Sequence, residues 1–227
     1  MKISVVIPAL NEEQAIAEVV RAVPADRVHE VIVVDNGSTD DTAKQASSAG
    51  ARVVFESQPG YGFACRAGAK AGAEADILVF LDGDRSDDPT QMKVVVGPLL
   101  DNRADLVIGS RLKGALEKGA MPLHGRVGNR FIVSLLRLLY GVDITDIGSF
   151  RAIKAQTLSD LDMQQMTFGW PAEMVVKAAR KGLKIKSVPI NYRRRIGKSK
   201  VTGTIRGTLL AAFYMFLVPL KYLFAKV

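Results

Sequence analysis

The chain has 227 residues, of which 48% are hydrophobic and 24% charged, and its formal net charge is +8. That balance excludes a disordered or fibrous chain and supplies one sizeable core, or one domain with an appendage. The single cysteine, Cys65, excludes an internal disulfide and fits a reducing compartment.

The first segment, "MKISVVIPALNEE", has too short an apolar run for a signal peptide and no small-residue cleavage site. It reads as a core strand, Ile3 to Ala9, which places the working part of the chain in the cytoplasm. Asn11 is positioned to cap a helix starting "EEQAIAEVVRAV". "EVIVVDN", Glu30 to Asn36, is a second strand, ending in the turn "NGSTDDT" before a helix that runs through Ala49. "ARVVFES" is a third strand, followed by a Gly-rich turn and an Ala-rich helix around "ACRAGAKAGAEA". "ADILVFLD" is a fourth and "ADLVIGS", Ala104 to Ser110, a fifth. Continuous apolar strands separated by helices predict an α/β domain, a mostly parallel sheet covered on both faces. Beyond Arg111 the pattern predicts a helix from Gly125 to Tyr140, a short strand near "GSFRAI", a helix from Trp170 to Lys181 and a strand in "LKIKSVPINY".

The C-terminal part differs. No Asp or Glu follows Glu173, whereas Arg193, Arg194, Arg195, Lys198, Lys200 and Arg206 do, which points to an anionic partner. Nucleic acid is not expected, because no nucleic-acid motif is present and aromatics make up only 7%. Leu209 to Leu220 is wholly apolar, interrupted by Pro219 and flanked by Arg206, Lys221 and Lys226. It is shorter than the roughly 20 residues of a spanning helix. An interfacial or re-entrant helix on the membrane surface is expected, with basic side chains at the headgroups. A core helix or a homo-oligomer contact is the alternative. The division expected is a body at 1–200 and a C-terminal helix at 201–227.

In open α/β sheets ligands bind beyond the C-terminal strand ends. Asn11 and Glu12, Asp35, Asp82 and Asp84, and Arg111 each lie just past a different predicted strand. Independent solvated turns have no reason to repeat that placement; one shared crevice does. In "FLDGDRSDDP", Asp82 and Asp84 stand one residue apart, and like charges that close need a cation, a proton or good solvation. A nucleotide diphosphate bridged by a hard divalent cation on carboxylate oxygens would meet that need. On an extended strand end the two would project to one side, and Gly83 between them would admit close backbone approach. A redox dinucleotide site is not supported: "PALNEE" carries no glycine where G-x-G-x-x-G belongs. In "GYGFACRAG", Cys65 stands at the third glycine position.

"VVIPALNEE", "VIVVDNGSTDDT", "VFLDGDRSDDP" and "LVIGSR", in that order, resemble a family-2 glycosyltransferase with the GT-A fold, over roughly residues 3 to 111. "DIGSFRAIK" and "VPINYRRRIGKSK" resemble the branch of dolichyl- and polyprenyl-phosphate sugar synthases. The resemblance implies a nucleotide-sugar donor of UDP-glucose or GDP-mannose type, Mg²⁺ or Mn²⁺ as cofactor and a polyprenyl-phosphate acceptor. Pro8, Ala9, Asn11 and Glu12 would then line the base and ribose pocket, and Asp35 would bind base or ribose. Asp82, Gly83 and Asp84 would form the D-x-D element, with Asp82 and Asp84 on the metal. Arg111 would lie near the transferred sugar and acceptor phosphate. Arg126, Arg130 and Ser149 would face that phosphate, while Arg195, Ser199 and Lys200 would sit on a loop closing over the diphosphate. Arg85 and Ser86 depart from that branch's usual D-x-D context.

A lipid phosphate is already ionised near neutral pH, so transfer with inversion needs no strong base, only positioning and stabilisation of the leaving diphosphate. A hydroxyl acceptor would need one, and Asp146 in "TDIGSF" and Glu173 in "GWPAEM" are the candidates. A non-catalytic nucleotide-binding, membrane-recruiting module is the alternative outside enzymes.

Overall fold

In the computed structural model, residues 1–197 and 205–224 are described. Its sheet contains β1 (Ile3–Ala9), β2 (Glu30–Asp35), β3 (Arg52–Phe55), β4 (Ile77–Phe80), β5 (Leu106–Ser110), β6 (Arg151–Lys154) and β7 (Ile185–Pro189). The spatial order is β3-β2-β1-β4-β6-β5-β7. Neighbours pair in parallel except β6, which runs antiparallel to both β4 and β5. The mostly parallel sheet expected from the sequence is therefore present, and β6 is its one reversal.

Alternate residues of each strand enter opposite cores. Val5 and Ile7 face α1 (Ile16–Ala22) and α4 (Met92–Leu100) with Val19, Val95 and Leu99. Val6 and Val34 face α3 (Tyr61–Ala71) and α7 (Trp170–Arg180) with Ala64 and Val175. Helix α3 lies so close to the sheet that a Cβ at Gly68 would stand 2.2 Å from a Val6 methyl carbon, so only glycine permits that approach. The remaining helices are α2 (Thr42–Ser48), α5 (Leu123–Tyr140), α6 (Ala155–Asp160) and α8 (Ile205–Phe224).

Four local expectations change. Asn11 does not cap a helix: it adopts φ 52°, and its Oδ1 accepts the Thr39 N–H at 2.8 Å, so α1 begins only at Ile16. A short polar side chain tolerates the left-handed region, and here the neighbouring loop outcompetes the helix for it. Helix α4 was not expected, because "MKVVVGPLL" is β-branched and contains Pro98. Its buried Met92, Val95, Val96 and Leu99 nevertheless repeat at helical spacing. Helix α6 is equally new. Finally, β4 ends at Phe80, so Asp82 and Asp84 sit in a turn and strand alternation does not set their directions.

Helix α5 buries Asn129, Ile132, Val133 and Leu136 and stops at Gly141, whose φ of 65° makes a left-handed C-cap. Helix α8 packs on α5 and α7 through buried Val218 and Tyr222. Tyr140 Oη donates to the Pro219 carbonyl, and Arg180 Nη1 donates to that of Tyr222. Among the described residues no helix is long and apolar enough to cross a membrane.

Candidate active site

The C-terminal ends of β2, β1 and β4 lie side by side and carry the first group of predicted residues. Pro8 and Ala9 pair with Val34 and Asp35 across β1 and β2. Asp35 is buried and accepts the Ser38 N–H at 2.9 Å. Ser38 in turn accepts the Asn11 N–H, and Thr42 Oγ1 accepts that of Glu12 at 2.8 Å. Asp40 accepts from Glu13 N and from both donors of Thr42; burial opposes its ionisation, but these hydrogen bonds prevail and lower its pKa. This half of the crevice is thus a lattice of short loop-to-loop hydrogen bonds.

The D-x-D turn follows. Gly83 is buried, and a Cβ there would meet Ile16 and Ile7 at 3.1 and 3.4 Å, so its lack of a side chain serves core packing. Asp84 is also buried: its Oδ1 accepts from Ser86 N and Oγ at 2.9 and 2.5 Å. Its Oδ2 is paired in charge with the Arg195 guanidinium, although no hydrogen bond of normal geometry reaches it. Arg85, at φ 69°, points away to Glu18. The residues 192–196 lie over this turn: Arg193 N donates to Ser86 O, Ile196 N to Asp84 O and Arg193 Nη2 to Asp88 Oδ2. Asp87, which the sequence reading missed, is buried and accepts the Asp82 N–H and Ser149 Oγ at 3.2 and 2.9 Å, while its Oδ1 has no partner. Burial, and then the Asp82 charge, push Asp87 up to about 7.

That surplus of negative charge fits a divalent cation. Among the described residues no three acidic, His or Cys side chains form a metal cluster. A complete protein cage is therefore absent, and a cation here would rest on one or two carboxylates plus phosphate oxygens, the habit of Mg²⁺.

Across the turn lies a cavity of about 870 Å³. Its polar end holds Asp82, Arg111, Ser149 and Arg195, and its walls continue as Phe131, Ile132, Phe168, Ala212, Met215 and Phe216. Phe131 of α5 and Phe216 of α8 stack at 6.1 Å between ring centroids. Arg111 is oriented by Asp146 through two hydrogen bonds, Nε to Oδ2 at 2.9 Å and Nη2 to Oδ1 at 2.6 Å. Burial works against the Arg111 charge, but Asp146 outweighs it and leaves the guanidinium pKa raised. The other face of Arg111 stacks over Tyr192 at 5.2 Å.

The two proposed bases are otherwise occupied. Both Asp146 oxygens are taken by Arg111, with further bonds from Arg111 N and Ile147 N, and the residue is fully buried. Glu173 is buried away from the cavity and accepts from Gln164 N, Gln165 N and Tyr222 Oη while paired with Lys177. Neither has a lone pair facing the crevice, so both are structural in this arrangement. Arg130 is exposed, and neither it nor Arg126 lines the cavity. Asn129 stands on the wall between them. Ser199 and Lys200 lie outside the described residues. Arg151 was also missed: it is buried at the start of β6, and among the described residues its side chain donates to Gly148 O, Pro171 O and Met174 S. A lone Arg inside "GSFRAI" was the available signal. Trp170 packs in the core.

A sequence profile described as "Glycosyl transferase family 2" matches residues 4–162. The chain belongs to that family. An uncharacterised glycosyltransferase of Mycobacterium tuberculosis is 39% identical over 92% of this chain and 94% of its own length. A dolichyl-phosphate hexose transferase of Haloferax volcanii is 33% identical over 88% of this chain and 86% of that protein. Among solved structures, glucosyl-3-phosphoglycerate synthase of Mycobacterium tuberculosis with Mn²⁺, UDP-glucose and phosphoglyceric acid superposes with a TM-score of 0.80 at 26% identity, covering 100% of this chain and 81% of that one. The architecture of this glycosyltransferase is the GT-A fold.

Proposed function

We propose that this glycosyltransferase moves a hexose from a nucleotide sugar of UDP-glucose or GDP-mannose type to a polyprenyl phosphate. The observation that carries the reading is the cavity: one end presents Arg111, Ser149 and Arg195 beside Asp82, and the walls supplied by α5 and α8 are mostly apolar. That combination suits an amphiphile with an anionic head. The similarity to a dolichyl-phosphate hexose transferase supports it.

The residues divide the work accordingly. Pro8, Ala9, Asn11, Glu12 and Asp35 bind base and ribose at the ends of β1 and β2. Asp82 and Asp84 would hold Mg²⁺ or Mn²⁺, whose charge stabilises the departing diphosphate. Arg111, locked by Asp146, orients the acceptor phosphate, and an Arg offers that group two parallel hydrogen bonds; Ser149 lines the same end while its hydroxyl hydrogen goes to Asp87. One phosphate oxygen attacks the anomeric carbon as the bond to the nucleoside diphosphate breaks, inverting the configuration. The acceptor arrives ionised, so no proton is removed, in keeping with the absence of a free carboxylate at Asp146 and Glu173.

Access to a membrane-borne acceptor follows from the outer faces of the same helices. Leu123, Val127 and Leu138 of α5 and Leu209 and Phe213 of α8 are exposed and do not line the cavity. They supply apolar surface beside the basic run Arg193 to Arg195, fitting peripheral attachment to the cytoplasmic leaflet. Incubating the protein with labelled nucleotide sugars, Mg²⁺ or Mn²⁺ and polyprenyl phosphate should give an organic-extractable glycolipid, and polyprenol should give none. No product from the phosphate with any common donor defeats the acceptor assignment.

A further inference from the structure

Asn129 occupies a place in α5 where an apolar side chain is expected. The buried stripe of the helix runs Asn129, Ile132, Val133, Leu136, the spacing of a core-facing row, and its first member is an amide only 7% exposed. Asn is a poor helix-interior residue, and a buried amide normally has partners for both ends. Here one end is satisfied. Oδ1 accepts the Ile147 N–H at 3.1 Å, which fixes the orientation of the amide, because only an oxygen can take that hydrogen. The other end, Nδ2, is buried and has no hydrogen-bond partner among the described residues. The same residue lines the cavity together with Arg111 and Ser149.

From this we infer that Asn129 is an acceptor-binding residue whose Nδ2 donates to an oxygen of the acceptor's phosphate. The inference rests on the lipid-phosphate reading above. With its oxygen engaged, the amide offers the cavity donors only, and it lines that cavity together with the Arg111 guanidinium. An ionised phosphate, which is acceptor-only, matches such a set. A purely local duty for Asn129 is poorly motivated, because the Ile147 N–H also bonds Asp146 Oδ1 at 2.7 Å and keeps a partner without it.

That redundancy makes the test sharp. Asn129→Leu fills the same volume, completes the apolar stripe and should melt no lower than the wild type. Its KM for a short-chain polyprenyl phosphate, at saturating donor and Mn²⁺, should rise at least tenfold, the loss expected for one hydrogen bond to a charged group. Nucleotide-sugar affinity by calorimetry should stay within twofold. Asn129→Asp, which keeps the bond to Ile147 but turns the donor into a carboxylate, should raise that KM further, and it serves as the second variant. An unchanged acceptor KM in folded Asn129→Leu or Asn129→Asp overturns the inference, as does a loss of donor affinity equal to the loss for acceptor. If the wild type itself makes no product from the lipid phosphate, the underlying reading fails, and that outcome is distinct because it precedes any variant.

Discussion

The two halves of the crevice are built by different means. On the donor side, β1, β2 and β4 are parallel neighbours, and their loops fix one another with hydrogen bonds between residues about 30 apart or closer, such as Asn11 with Thr39 and Glu12 with Thr42. On the acceptor side the site depends on an antiparallel strand and on long-range charged pairs, Arg111 with Asp146 and Arg195 with Asp84. The donor half repeats one supersecondary unit and needs little beyond local turn chemistry. The acceptor half is assembled from distant segments whose charges are desolvated only when every partner arrives. Donor recognition should therefore survive damage to the acceptor half, and the reverse test should fail.

The largest effect should come from the turn that joins the halves. Asp84→Ala removes a buried carboxylate that bonds Ser86 and pairs with Arg195. Turnover should fall about 10³-fold or more, roughly 4 kcal/mol of transition-state stabilisation. Calorimetry with and without chelator should show metal-dependent nucleoside diphosphate binding in the wild type and none in the variant. Nucleotide affinity indifferent both to chelator and to this substitution would remove the metal from the account.

Next in size is Asp146→Ala, confined to the acceptor half. It leaves Arg111 largely buried without its counter-charge, and breaking such a pair costs about 3–5 kcal/mol. The melting transition should drop accordingly and acceptor KM should rise, while donor affinity below the transition stays near wild type. An equal loss of donor affinity would show that the halves are one cooperative unit and end the comparison.

The same contrast explains what the sequence revealed. Ile3–Ala9, the acids past β2 and β4, and Arg111 past β5 are visible because the strand-end rule needs only local pattern. The direction of β6 was not visible: a four-residue strand, Arg151–Lys154, carries no mark of whether it runs with or against its neighbours. Nor could spacing reveal that Asp146 and Glu173 are saturated: Ile147 and, one turn along α7, Lys177 are local partners, but Arg111 and Tyr222 come from separate elements. Arg126 and Arg130 drew attention by charge, yet on α5 the buried polar residue that lines the cavity is the neutral Asn129. Charge is legible in a string; which side of a helix meets a cavity is decided by packing.

The smallest effect concerns Glu173. It is fully buried and receives two backbone N–H groups, the Tyr222 hydroxyl and the Lys177 ammonium, so it ties α7 to the 164–165 turn and to α8. Through that turn it also supports α3, since Phe63 N donates to Met166 O and Gly62 packs against Gln165 and Met166. Glu173→Gln keeps the shape but replaces an acceptor by a donor facing other donors, and it deprives Lys177 of its counter-charge. A penalty of about 1–3 kcal/mol in unfolding free energy follows. Because none of these contacts reaches Asp82, Arg111 or the β1–β2 loops, turnover per folded molecule should stay within about twofold at temperatures well below the transition. The opposite pattern, unchanged melting with turnover abolished, would mean that Glu173 takes a proton from a hydroxyl acceptor. The apolar cavity would then need a different occupant, because an ionised lipid phosphate has no proton to give.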